Sequence, residues 1–407
     1  MCGILATSRE IVDLEYITEF LQLRGPDETT HFQYNNLNFV HTLLSITGLP
    51  TLQPFSNEEQ SIFVLFNGEI YNYRDFGDFE SDGNCIIAIY EQFGLDFVKE
   101  IDGEFAIVLI DFSKEILLFS TDVFSIKPLW FAKEGNEFAI SSYRSCIDRL
   151  GFSKPVQVEA NSTYILSLYS LEIIERRDVF TFELKQFKDN FDDWNKAFSS
   201  AIKKRTQNVR HGIFIGLSSG YDSGVIACEL EKQKVPFTAY SIVGSENKEI
   251  IERRLKRKIN SNLIEISLEE FLESRDYLKK YCEEYFLKID NGELDMIEHL
   301  QRKYNDICEK ILRISSREIV DTLTNEKLLL KSQINDYLRI IQFRLENQKV
   351  TDDNGAIGLG HICSKAKKLG QLIYLSGNGA DEVFSDYGFA GIKHYPHSTI
   401  GGKFLDN

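Results

Sequence analysis

The sequence predicts two architectures in series: an α+β first half of layered antiparallel sheets between helices, then an α/β second half built on a parallel sheet. Three observations predict this. Short β-branched and aromatic runs crowd the chain up to about residue 180, with few helical stretches among them. Beyond about residue 195, strands and helices alternate, the pattern of a parallel sheet covered on both faces. A polar stretch, Lys185–Asp193, separates the two regimes and divides the chain into domains 1–184 and 185–407.

In the first half, strands are expected at Phe39–Ile46, Ser61–Phe66, Glu104–Ile110, Glu115–Ser120, Glu137–Ser141 and Thr163–Tyr169, many of them separated by turn glycines such as Gly48, Gly68, Gly103 and Gly135. Helical periodicity appears around Ile11–Leu23 and Cys85–Phe93. Close-spaced strands with few helices argue for stacked sheets rather than βαβ units. In the second half, Asn195–Val209 reads as a helix, Ile213–Leu217 as a strand, and the chain then passes through a small-residue loop into a helix ending near Glu231. A strand at Phe237–Ile242, a charged helix at Lys248–Lys258 and a strand at Leu263–Ile266 follow. Residues 268–350 read as mostly helical and highly charged, and a last strand, Leu372–Leu375, leads into a second glycine-bearing loop.

Composition bounds the function. The chain has 407 residues, 43% hydrophobic and 27% charged, which suits two or three globular domains. With 46 basic against 62 acidic residues the net charge is -16, so nucleic acid and anionic membrane are poor partners. No run approaches the ~20 apolar residues of a membrane span. The start, Met1-Cys2-Gly3-Ile4-Leu5, lacks the features of a secretory signal. The seven cysteines are scattered with no Cys-x-x-Cys pair. A disulfide framework and a structural zinc site are therefore not expected, and a cytoplasmic location is.

Two loops after strands of the second half carry the chemistry. In Ser218-Ser219-Gly220-Tyr221-Asp222-Ser223-Gly224, glycines permit close backbone approach and a helix N-terminus offers unpaired N–H groups to phosphate. Asp222 would repel a bare phosphate and makes better sense as a Mg²⁺ ligand. The same residues also suit a plain capped helix after a tight turn. The second loop, Ser376-Gly377-Asn378-Gly379-Ala380-Asp381-Glu382, puts further carboxylates at a strand end, where ligands of open α/β sheets bind.

The first half offers a different chemistry. If Met1 is removed, Cys2 carries a thiol and an α-amine within one residue, and an N-terminal nucleophile can use its own amine as base. Asn67-Gly68-Glu69-Ile70-Tyr71-Asn72 follows an apolar run. The Asn67 amide and the Gly68 N–H suit an oxyanion formed in acyl transfer. Glu69 and Asp82 are carboxylates able to pair with a substrate ammonium group.

Taken together, Cys2-Gly3-Ile4, Arg24-Gly25-Pro26-Asp27, Asn67–Asn72, Asp122 with Ile126-Lys127-Pro128-Leu129, Ser218–Ser223 and Ser376–Glu382 resemble, in order, the motifs of the glutamine-hydrolysing asparagine synthetase family. The resemblance implies a class II glutamine amidotransferase domain followed by an adenylating, ATP-pyrophosphatase-like domain. It makes Cys2 the nucleophile on the glutamine amide, Asn67 and Gly68 the oxyanion hole, and Glu69 and Asp82 the holders of the glutamine α-amino group. Ser218, Gly220, Asp222, Ser223, Ser376 and Gly377 would bind ATP, with Asp222 and Asp381 on Mg²⁺. Glutamine, ATP and aspartate are the implied partners, ammonia the group passed between the domains, and a homodimer an allowed assembly.

Three departures stand out. The family's clamping arginine is Leu43 here, with Arg74 its nearest candidate replacement in sequence. The family's usual glutamate in the second loop is Asn378. The chain ends at Asn407, short of the family's length, and residues 243–360 follow the family poorly. The acceptor therefore stays open between aspartate and another carboxylate, with a non-synthesising binding module as the remaining reading.

Overall fold

The computed structural model describes residues 2–183, 188–242, 247–255, 260–264, 266–281, 291–314, 317–347 and 354–377. Met1, Asn378, Asp381 and Glu382, on which expectations fall, lie outside them. Two compact units are present, residues 1–268 with 361–407, and residues 269–360.

The first unit begins with β1 (Gly3–Thr7), α1 (Leu14–Arg24), β2 (Glu28–Tyr34), β3 (Leu37–Leu43), β4 (Phe55–Ser56), β5 (Ile62–Ile70), α2 (Cys85–Phe93), β6 (Gly103–Asp111) and β7 (Ile116–Thr121). It continues through β8 (Trp130–Glu134), β9 (Glu137–Ser141), α3 (Arg144–Arg149), β10 (Val156–Gln157), β11 (Ser162–Ser167) and β12 (Ile173–Asp178). These strands make two six-stranded antiparallel sheets, ordered β10-β8-β9-β1-β3-β2 and β12-β11-β7-β6-β5-β4. Alternation within each strand explains the layers. Ile4, Ala6 and Phe39 from one sheet meet Phe63, Leu65 and Val108 from the other in a shared core. The opposite faces carry Leu5 and Val40 under α1 and α3, and Val64, Phe66 and Ile107 under α2. The result is the expected arrangement of sheets between helices.

The same unit then contains α4 (Asp192–Thr206), β13 (Gly212–Gly216), α5 (Tyr221–Lys232), β14 (Thr238–Ile242), α6 (Lys248–Leu255) and β15 (Asn260–Ile264). The helices α7 (Leu268–Tyr281), α8 (Asn291–Arg313) and α9 (Arg317–Asn347) follow, then α10 (Asn354–Lys368) and β16 (Gln371–Leu375). The four strands form a parallel sheet, β15-β14-β13-β16. Apolar side chains of α4 and α5 cover one face through Ile202, Ile226 and Leu230, while Ile362 and Ala366 of α10 cover the other. The strand order reverses beside β13, so a crevice opens where β13 and β16 end together, the usual ligand position in such sheets. In the second unit, α8 and α9 pack through Leu300, Ile307, Leu330 and Ile334. Among the described residues no helix is long and apolar enough to cross a membrane.

Candidate active site

Cys2 enters β1 directly, and β1 packs across the sandwich on β5, the strand of Asn67, Gly68 and Glu69. The Cys2 thiol points to the Leu44 carbonyl oxygen, 3.9 Å away. Its own carbonyl accepts from Arg24 Nε at 3.1 Å. The Arg24–Asp27 segment braces this corner. A side chain on Gly25 would strike the Thr42 carbonyl, and Asp27 Oδ2 accepts the Ser45 N–H at 2.8 Å. Burial pushes the Cys2 thiol above its ordinary value, opposed in part by the Leu44 hydrogen bond and reinforced by Asp82 and Glu69. The thiol is therefore held protonated and needs a base to react.

Asn67 is fully buried, and neither amide atom has a hydrogen-bond partner among the described residues. An orphaned buried amide costs ~1–3 kcal/mol, which makes it a group waiting for a ligand. Gly68 follows in the tightest part of the ladder, where a Cβ would lie 2.2 Å from the Glu104 carbonyl oxygen. Half-buried Glu69 and buried Asp82 are both pushed up, by loss of solvent first. Asp82 reaches about 8, with Glu69 the next cause, although it accepts the Ile70 N–H at 2.8 Å. A positive charge beside Asp82 would offset the repulsion from Glu69 that raises it.

From Glu69 a cleft of about 1160 Å³ runs to the ends of β13 and β16. Thr47, Tyr71, Glu104 and Lys127 line it from the first half of the chain, and Arg205, Asp222, Val225, Ser376 and Gly377 from the second. Val123, Phe124, Ile126, Trp194 and Phe198 make much of the wall apolar. Asp122 holds one side by accepting the N–H groups of Phe105, Phe124 and Ile126 at 3.0, 2.9 and 3.1 Å. Lys127 is 4% exposed and lies 3.5 Å from Glu104, which also accepts from the Tyr71 hydroxyl at 2.7 Å. This cluster is not apparent in the sequence reading; Lys127 appears there only inside a motif with no role.

At the far end, the Ser218 and Ser223 hydroxyls lie 2.9 Å apart, and Gly220 N–H donates to Ser218 Oγ at 3.1 Å. The helix α5 starts at Gly220 without a side-chain cap, unlike the plain capped helix the loop also suited. Its first N–H groups are open to an anion. Asp222 is exposed and sits against Gly377, where a Cβ would come within 2.5 Å of the Asp222 Cβ. One carboxylate beside a phosphate cradle is what Mg²⁺ requires when phosphates and water complete its shell, so these residues fit Mg²⁺ with ATP. Its second expected ligand, Asp381, lies outside the described residues. Leu43 is buried, and Arg74 is exposed and packs on Tyr73, with its Nε 3.1 Å from the Tyr73 hydroxyl.

The pairing of an antiparallel sandwich with a parallel sheet agrees with sequence comparison. Residues 1–188 match the family described as a glutamine amidotransferase domain. A provisionally named asparagine synthetase (glutamine-hydrolyzing) 1 of Methanocaldococcus jannaschii is 29% identical over 290 residues, covering 63% of this chain and 52% of that protein. Asparagine synthetase (glutamine-hydrolyzing) 2 of Bacillus subtilis is 34% identical over 32% of this chain and 18% of its own length. Asparagine synthetase B (glutamine-hydrolyzing) of Escherichia coli is 24% identical over 91% of this chain and 60% of its own. The chain thus spans less than two thirds of each of these relatives. Its similarity to the glutamine-hydrolyzing asparagine synthetases holds at the level of family.

Proposed function

We propose that the protein is an ATP-dependent, glutamine-hydrolysing amidotransferase. It would release ammonia from glutamine at Cys2 and deliver it to an adenylated carboxylate, with aspartate the leading acceptor and asparagine, AMP, pyrophosphate and glutamate the products. The single cleft reaching from Glu69 to Asp222 carries this reading, because it gives ammonia a path between two chemistries.

In this account Met1 is removed and the Cys2 α-amine takes the thiol proton as sulfur attacks the glutamine amide. The raised thiol makes that base necessary. Asn67, buried and without a partner among the described residues, and the Gly68 N–H receive the developing oxyanion. Glu69 and Asp82 hold the α-ammonium group, which offsets the repulsion that raises Asp82. Ammonia then moves along the apolar wall, away from water that would protonate it. At the other end, the loop Ser218–Ser223 and the Ser376–Gly377 pair position the phosphate chain, and Asp222 contributes to Mg²⁺. When bound, Mg²⁺ would screen the phosphate charge. Asp381 as second ligand belongs to the same proposal.

The test is to supply glutamine, ATP, Mg²⁺ and aspartate and to assay glutamate, pyrophosphate and asparagine separately. All three products support the reading. Glutamate without aspartate-dependent pyrophosphate redirects the acceptor to another carboxylate or removes synthesis altogether.

A further inference from the structure

The loop after β13 carries a positive charge that reaches it from α6. Arg254 Nη1 donates to the Ser218 carbonyl and, at 2.9 Å, to the Gly220 carbonyl. The guanidinium packs against Gly224, where a Cβ would come within 2.6 Å of Nη2 and 2.8 Å of Cζ. Glycine inside a helix costs ~1 kcal/mol relative to alanine. Here that cost admits an arginine into the first turn of α5.

The placement is electrostatically one-sided. Among the described residues Arg254 forms no ion pair with a carboxylate. It stands instead beside the uncapped N-terminus of α5, whose dipole is already positive there. Its bonds to two carbonyls fix its position without neutralising its charge. They engage Nη1, which leaves Nε and Nη2 on a planar fork suited to phosphate oxygens. Two positive features held side by side repel one another until an anion lies against both.

We propose that Arg254 is the fixed cation of this phosphate site and binds the pyrophosphate portion of ATP. The inference rests on the reading of Ser218–Gly224 as an ATP loop and adds the residue that supplies its charge. In adenylation, a carboxylate oxygen bonds to the α-phosphorus, the bond from that phosphorus to the bridging oxygen breaks, and the electron pair leaves on pyrophosphate. Arg254 is placed to stabilise that leaving charge.

Binding of ATP, pyrophosphate, AMP and adenosine, each with Mg²⁺, would be measured by calorimetry on the full chain and on Arg254→Gln and Arg254→Lys. Glutamine removes the charge and is too short to keep both Nη1 bonds to the loop, so lysine, which keeps the charge, and the comparison of pyrophosphate with AMP separate charge from bracing. Thermal melting checks that each variant is folded. The expected result is a loss of about tenfold or more in ATP and pyrophosphate affinity for Arg254→Gln, with AMP and adenosine unchanged and Arg254→Lys recovering most of the loss. Unchanged pyrophosphate affinity in Arg254→Gln overturns the proposal, as does an equal loss for all four ligands, which would mark a loop brace. If the unsubstituted protein binds neither ATP nor pyrophosphate, the ATP reading beneath the proposal fails instead.

Discussion

Glu69 and Glu104 stand directly opposite one another in the β5–β6 ladder. Like charges in that relation destabilise a strand pair. Lys127, almost wholly buried, offsets them: it lies 3.5 Å from Glu104 and its charge also lowers Glu69. Removing one member of a buried pair leaves an uncompensated charge, typically at a cost of about 3–5 kcal/mol. Lys127→Met should therefore lower stability by that order, and Lys127→Met combined with Glu104→Met should recover most of it. Urea unfolding of the three proteins checks this.

Asp82 provides the opposite case, a residue that trades stability for binding. Its folded pKa is about 8, against an unfolded value near 3.8. The folded state thus holds a proton that the unfolded state has lost, so stability falls as pH rises between those values. Asp82→Asn should melt higher than the unsubstituted protein at pH 8 and differ little near pH 4. The same substitution should raise the glutamine KM by about a hundredfold, through loss of a charge-assisted contact.

His41 gives a pH response of the other sign. It is fully buried on β3, neither ring nitrogen has a partner among the described residues, and burial lowers its pKa to about 4. An unfolded histidine takes up a proton near pH 6.5, so the fold loses stability as pH falls from 6.5 towards 4. The loss amounts to about 3 kcal/mol. Stability measured across that range should show a slope that flattens in His41→Gln.

Residues of the second half hold the loop beside Cys2. His211 Nε2 donates to the Ser45 carbonyl at 2.9 Å, Arg210 N–H to the Ile46 carbonyl at 3.4 Å, and Thr47 bridges to Val209. The Leu44 carbonyl facing the thiol belongs to the same turn. His211→Ala should leave basal glutamine hydrolysis within about twofold, since it loses one hydrogen bond. ATP should lower the glutamine KM of the unsubstituted protein and leave that of His211→Ala unchanged. Glutaminase assays with and without ATP check both.

Much of this arrangement is legible in the sequence where residues act locally. The helix Cys85–Phe93 and the strand Glu137–Ser141 fall at their expected positions because their apolar spacing matches one period. β1 is missed because Gly3–Thr7 is buried on both faces and shows no alternation. β2 and β12 are missed because they are edge strands with mostly polar, exposed residues. The same distinction governs the site. Asn67, Gly68 and Glu69 are consecutive, and the Ser218–Ser223 loop is one turn, so both can be read along the chain. Tyr71, Glu104 and Lys127 meet from just past β5, from β6 and from the loop after β7, and Arg254 reaches its loop from another helix. No linear pattern announces either.

Nitrogen is expected to pass from Cys2 to the Ser218–Ser223 loop without leaving the protein. This is tested by supplying glutamine labelled with ¹⁵N at its amide, together with ATP, Mg²⁺, aspartate and excess unlabelled ammonium, and measuring the isotope in asparagine by mass spectrometry. Asparagine should carry the glutamine label, and should lose it in Cys2→Ala while ammonium still supports synthesis. Asparagine with the isotope ratio of bulk ammonium, or labelled asparagine made by Cys2→Ala, would contradict this transfer.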